Sequence, residues 1–186
     1  PRAYKVRSSQ IQVLSPMQRG TLGTVNLNRA LQEALNPGKG GLVRGAVSFR
    51  RGDRVMQLKN NYDKDVYNGD MGHIVSIDRE EQSLKVSFDG REVDYDGSDL
   101  DELTLSYATT IHKSQGSEFP IVVMPVLMAH FVMLQRNLIY TGITRAKKIC
   151  VLVGETKALN TAIRNVSSLQ RYTRLSQRLA EMVKSL

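Results

Sequence analysis

Residues 107–119 read YATTIHKSQGSEF, a stretch dense in side chains that can hold an anion or a sugar. Thr109, Thr110, His112, Lys113 and Ser114 place hydroxyl, imidazole and ammonium donors close together, a set suited to phosphate and sugar contacts that carry no base information. Gly116 follows as a position where the backbone can turn and approach a ligand closely. Glu118 adds a carboxylate able to accept hydrogen bonds from ribose hydroxyls. Further on, residues 137–148, NLIYTGITRAKK, end an apolar helical run in Arg145, Lys147 and Lys148. The rigid arginine fork binds phosphate oxygens bidentately, and a positive charge beside a γ-phosphate stabilises the charge that develops during its transfer. Arg145 is the first candidate for that chemistry. Arg19, in PMQRG directly after an apolar run, is the second, with Gln18 as its companion.

The elements that must position these residues follow from periodicity. Ile11 to Leu14 form a short apolar run that stops at Ser15-Pro16, as a buried strand entering a loop does. Leu27, Ala30, Leu31, Ala34 and Leu35 recur at helical spacing until Pro37 and the glycines after it end the helix. The period then changes. RVMQL, HIVSID, SLKVSF and REVDY are partly alternating runs separated by turns such as Asn68-Gly69 and Asp89-Gly90, which predicts antiparallel strands in a small β-barrel. From residue 103 an α/β layer resumes: strands over 103–107, 119–126 and 149–154, helices over 134–146 and 157–165. Residues 168–186 carry Leu169, Tyr172, Leu175, Leu179 and Met182 at helical spacing, an amphipathic C-terminal helix. Tyr62 and Tyr67 flank a turn-rich segment of the barrel, where they either stack on nucleobases or pack the barrel itself.

Composition narrows the class. A chain of 186 residues with 41% apolar residues can bury a real core. The single cysteine, Cys150, excludes a disulfide framework and reads as a buried reduced thiol, which fits a cytoplasmic protein. No stretch approaches the roughly 18 apolar residues of a membrane span, and no leader is visible. Opening on Pro1 rather than Met, the chain is expected to be cut from a longer protein. The net charge of +8 divides as +5 over residues 1–42, −5 over 43–105 and +8 over 106–186. Basic flanks around an acidic middle suggest that nucleic acid meets the flanks, because backbone phosphates attract clustered Lys and Arg. His73, His130 and Cys150 have no metal-like partners in sequence, so no zinc site is expected.

Residues 107–119 and 137–148 together resemble the fifth and sixth motifs of superfamily 1 helicases, in the RecD-like branch (the exodeoxyribonuclease V alpha chain family). Residues 13–31, VLSPMQRGTLGTVNLNRAL, resemble the fourth motif, and 52–72, GDRVMQLKNNYDKDVYNGDMG, the opening of the barrel inserted in such motors. The resemblance implies a second RecA-like motor domain with a parallel sheet, formed by residues 1–42 and 106–186, interrupted by an SH3-like barrel over 43–105. It implies an arginine finger at Arg145, with Arg19 and Gln18 aimed at the same phosphates, and Glu118 and Gly116 at the nucleotide sugar. Thr109, Thr110, His112, Lys113 and Ser114 would contact single-stranded DNA, with Thr110 and His112 the best matches. Arg19 departs from the familiar Gln-x-Arg spacing, and Lys113 stands where many relatives have a small residue. ATP and magnesium would be the cofactors. Single-stranded DNA, the N-terminal RecA-like domain of the same protein, and other recombination or repair proteins would be the partners, with 5′ to 3′ movement. No G-x-x-x-x-G-K-[ST] loop and no strand ending in Asp-Glu occur here, so the half that grips ATP lies elsewhere and this segment alone is expected to be inactive. A non-catalytic DNA- or protein-docking module with the motor fold, and the helicase segment of a conjugative relaxase, remain open alternatives.

Overall fold

The computed structural model describes residues 7–38, 40–166, 178 and 181–183. Strand β1 (Ile11–Ser15) runs through a loop into helix α1 (Thr24–Leu35). The chain then enters a run of short strands: β2 (Leu42–Arg44), β3 (Val47–Phe49), β4 (Arg54–Gln57), β5 (Met71–Asp78), β6 (Ser83–Phe88), β7 (Arg91–Tyr95) and β8 (Leu103–Leu105). It returns through β9 (Ala108–Thr110), β10 (Phe119–Val126), α2 (Arg136–Ile143), β11 (Ala146–Gly154) and α3 (Thr156–Arg164).

Two sheets result. The first is parallel throughout, in the order β11-β10-β1-β9. Its strand β10, FPIVVMPV, is apolar along its length because it is paired on both sides. Val122, Met124 and Val126 join Leu138, Ile139, Ala158 and Ala162 of α2 and α3 in one core. Gly142 lets α2 lie close to that strand: a Cβ there would stand 2.6 Å from Met124 Sδ. The second sheet is antiparallel, in the order β7-β6-β5-β4-β8, with β2 and β3 as a separate hairpin. In β6 the alternation is strict, with Leu84, Val86 and Phe88 buried. Asp89 and Gly90 both take positive φ, +48° and +90°, as the two-residue turn between β6 and β7 requires. The barrel has its own core around Phe49, Val55, Ile74, Val86 and Tyr95.

Several expected bounds shift. Of residues 103–107, only Leu103–Leu105 is a strand, and it pairs antiparallel with β4 rather than joining the parallel sheet. The sheet takes Ala108–Thr110 instead, paired with β1. The helix expected over 134–146 spans only Arg136–Ile143, because β11 begins at Ala146, where it pairs with Phe119. The C-terminal helix lies outside the described residues apart from 178 and 181–183, which are helical.

The α/β layer and the barrel meet through a few apolar side chains, Leu31 and Tyr107 on the barrel core and Met71 on the other, and through a set of polar ones. In α1 the buried positions are Thr24, Asn28 and Gln32, one turn apart, while Ala30, Ala34 and Leu35 are exposed. Asn28 Nδ2 donates to the carbonyls of Leu105 and Ala108, both at 2.9 Å, and its Oδ1 accepts from Ala108 N at 2.7 Å. Gln32 Nε2 donates to Ser48 O and to Asp53 Oδ2. Asp53, wholly buried, also accepts from Asn36 Nδ2, Arg50 N and the Tyr107 hydroxyl. Burial, then the neighbouring Asp53 carboxylate, pushes the Tyr107 hydroxyl pKa upward. Arg54 reaches back from β4 to Ile11 O and Gln12 Oε1 at 2.8 and 2.9 Å, and burial lowers its pKa. These buried polar groups are satisfied by one another.

Candidate functional site

The sheet's register separates the candidate residues into two groups. Val13 is level with both Ala108 and Val123, so Thr110 at the end of β9 is level with residue 125, six residues beyond Phe119. At about 3.3 Å per residue, the ends of β1 and β9 lie about 20 Å along the strands from the start of β10 and β11.

At the start of β10 and β11, Arg145 occupies the turn after α2, two residues past the helix end. Its Nη1 donates to Ser117 O at 3.2 Å, its Nε to Thr141 O at 3.3 Å and its Nη2 to Thr144 Oγ1 at 3.4 Å. Its own carbonyl accepts from Phe119 N at 2.8 Å, which fixes the turn against β10. Among the described residues no carboxylate pairs with Arg145. A half-buried guanidinium held only by long bonds to neutral oxygens keeps its charge for an incoming anion. Glu118 is exposed beside it and pairs with Lys147 Nζ at 3.3 Å, a contact that sequence reading missed because it crosses between two strand starts. Gly116 closes the preceding turn at φ +87° with open space around it.

At the other end the five expected donors divide. Thr110 is half-buried, and its Oγ1 accepts from Lys113 N at 3.2 Å, while His112 and Lys113 are exposed. Ser114 is fully buried, and its hydroxyl is spent on Ile111 O at 2.7 Å. Thr109 is 4% exposed, and its Oγ1 has no hydrogen-bond partner. Gln18 and Arg19 are exposed in the loop that follows β1, at this same end of the sheet. Gln18 lines one cleft with Thr109, Thr110 and Lys113. The structure thus brings Gln18 and Arg19 to the threonine end and does not bring them together with Arg145, Glu118 and Gly116.

In the barrel Tyr62 and Tyr67 are 75% and 44% exposed and pack edge to face, ring centres 6.1 Å apart. Val66 beside them fills the core in their place. Among the described residues no cluster of His, Cys, Asp and Glu could hold a metal ion, and no helix is long and apolar enough to cross a membrane. For a nucleotide the fit is partial: Arg145 and Glu118 offer complementary groups to phosphate and sugar, and no grouping of carboxylates for magnesium stands beside them.

Comparison with known proteins bears on the family and the fold. Residues 27–88 match the family model of the ATP-dependent RecD-like DNA helicase SH3 domain, and residues 105–153 that of the UvrD-like helicase C-terminal domain. The ATP-dependent RecD2 DNA helicase of Deinococcus radiodurans is 40% identical over 167 residues, 87% of this chain and 23% of that protein. The RecBCD enzyme subunit RecD of Haemophilus influenzae is 33% identical over 168 residues, 90% of this chain and 25% of that one. The chain therefore spans about a quarter of the curated relatives it matches. The crystal structure of Pif1 helicase from Bacteroides in complex with ADP-AlF3 and ssDNA shares the fold at TM-score 0.57 and 16% identity, over 93% of this chain and 45% of that one. With its parallel motor sheet, its inserted SH3-like barrel and these relatives, the chain belongs to the RecD-like DNA helicases, as the segment that carries the fourth to sixth motifs.

Proposed function

We propose that the chain is the second motor domain of an ATP-dependent 5′ to 3′ DNA helicase, with nucleotide at the Arg145 end of the sheet and single-stranded DNA at the Thr110 end. The observation that carries this reading is the Arg145 guanidinium, unpaired with any described carboxylate and held against Ser117 O, one residue from Glu118. When bound, ATP supplies the phosphoryl group whose transfer releases energy. Arg145 balances the charge developing on that group, and Glu118 orients the sugar by accepting its hydroxyls. The groups that grip the remaining phosphates and magnesium belong to an N-terminal RecA-like domain. Tyr140 and Ile143, 68% and 40% exposed on α2 next to Arg145, supply apolar surface for that domain to cover. Thr110, His112 and Lys113 meet the DNA backbone without reading sequence. A cytoplasmic site of action, and work alongside other recombination and repair proteins, complete the proposal.

The test is Arg145→Ala in the full-length enzyme. DNA-stimulated ATP turnover should fall about 10³-fold or more, the loss typical of removing an arginine finger, with ATP affinity much less affected. Lys148→Ala serves as control for loss of positive charge. Turnover within a few-fold of the parent, in a normally folded Arg145→Ala protein, would overturn the nucleotide assignment in favour of a docking module.

A further inference from the structure

The register of β1, β10 and β11 sets Val13, Val123 and Val151 level with one another, so these side chains share one face of the parallel sheet. Val122, Met124 and Val126 point to the opposite face, which α2 and α3 cover. A parallel sheet is ordinarily covered on both faces. Toward β11 the first face is open among the described residues: Val151 and Val153 on this edge strand are 37% and 53% exposed. Between that face, the end of α1 and the barrel lies a cleft of about 470 Å³, with Val13 and Val123 in its walls and exposed Leu35 at its rim. Arg54 is the one charged side chain among the described residues that line it. Its Nη1 and Nη2 donate to Ile11 O and Gln12 Oε1, both neutral, and among the described residues no carboxylate pairs with it. Asp53, its neighbour in the chain, is spent on Gln32, Asn36, Tyr107 and the Arg50 amide. His73, opposite Arg54 in the sheet, is kept neutral, since burial and then the Arg54 charge lower its pKa. A half-buried guanidinium thus lines the cleft with N–H groups to spare and its charge uncompensated.

We propose that this face docks an amphipathic helix of a partner protein, laid across Val123 and Val151 with an Asp or Glu at its inner end on Arg54. The inference goes beyond the helicase reading and needs neither nucleotide nor DNA. Charge chooses the occupant: a carboxylate on Arg54 recovers a burial cost that the free protein carries, through charge-assisted hydrogen bonds. Size argues for a helix over a small acid. From Val13 to Val151 is two interstrand spacings, about 10 Å, and a ligand confined to the cleft leaves Val151 and Val153 in water. An apolar stripe at i, i+3 and i+7 covers the whole strip. The chain's own residues 168–186 set Arg171, Arg174, Arg178 and Lys184 against Glu181, the wrong charge for Arg54.

The experiment titrates the chain with two synthetic amphipathic helical peptides that differ only in one residue near the end of the apolar stripe, Glu or Gln. The Glu peptide should bind about tenfold tighter, the worth of one charge-assisted hydrogen bond. Arg54→Gln should remove that difference. Because Arg54 also braces β1, Val151→Ser at the exposed edge gives an independent arm: both peptides should weaken several-fold while the ratio between them persists. Equal binding of the two peptides by the parent, or no binding of either, overturns the Arg54 anchor. Butyrate displacing the Glu peptide at similar affinity would make the site a small-acid pocket, and an oligothymidylate displacing it would make the face part of a DNA path; either result overturns the partner helix. So does loss of peptide binding in the full-length enzyme, which would show that its own polypeptide already covers the face.

Discussion

Arg145 and Arg19 carry the same chemistry in different settings. Arg145 is braced by three neutral oxygens just before β11, whereas Arg19 is exposed in the loop that follows the far end of β1. This placement separates their expected phenotypes. Arg19→Ala in the full-length enzyme should raise the DNA concentration needed for half-maximal ATPase stimulation several-fold while leaving the maximal rate near the parent's. Arg145→Ala should do the reverse. Equal collapse of the maximal rate in both would return Arg19 to the nucleotide. The residue types of the site were legible in the sequence, since a run of hydroxyls, His and Lys before a glycine has few structural uses. Exposure was not: Ser114 is buried where the turn folds back on Thr110 and Ile111, and Thr109 is buried within β9, which no local pattern records.

At the scale of elements, α1 shows how a correct periodicity can conceal its own meaning. Leu27, Leu31 and Leu35 announce a helix, yet the deepest contacts are made by Asn28 and Gln32 on the neighbouring stripe. A polar stripe ordinarily faces water. Here it faces the carbonyls of Ser48 within β3, Leu105 at the end of β8 and Ala108 at the start of β9, and the Asp53 carboxylate, partners 16 to 80 residues away in the chain. Strand β10 and the β6–β7 turn, by contrast, were readable because their burial and backbone angles are set locally. Asp53→Asn keeps the shape of the junction but turns an amide donor toward groups that already donate. It should lower unfolding free energy by about 2–3 kcal/mol, measured by urea titration, and Gln32→Ala by a smaller amount of the same sign. An unchanged midpoint for Asp53→Asn would mean that the junction contributes nothing to stability.

Across the molecule as a whole, the two hydrophobic cores share no residue among those described, but they are linked by apolar packing as well as hydrogen bonds: Leu31 and Tyr107 join the barrel core, and Met71 of β5 packs on the other. Because most of each core comes from its own segment, replacing residues 43–105 with a Gly-Ser linker should leave a soluble α/β domain with helical circular dichroism and a lower melting temperature. Random coil from that variant would show that the barrel templates the motor fold. Charge acts at this scale too. Weak binding of single-stranded DNA by the chain should fall steeply between low and moderate salt, since the basic flanks rather than any base contact supply most of the attraction. A salt-independent affinity would count against the electrostatic reading. The change of period from helical to alternating was visible in the sequence; the hydrogen bonds between distant segments were not, because they leave no compositional trace.

Residues 111–118 travel from the end of β9 back to the start of β10, and buried Ser114 pins them midway. This stretch acts as a gauge block: its length sets the phase between what happens at His112 and what happens at Glu118. One glycine inserted after Ser114 would swing the following residues by about 100° where the turn is helical, and both strands could still form. In the full-length helicase proposed above, such a change should leave DNA contact and ATP turnover measurable while abolishing the dependence of turnover on DNA, like a clutch slipped out of gear.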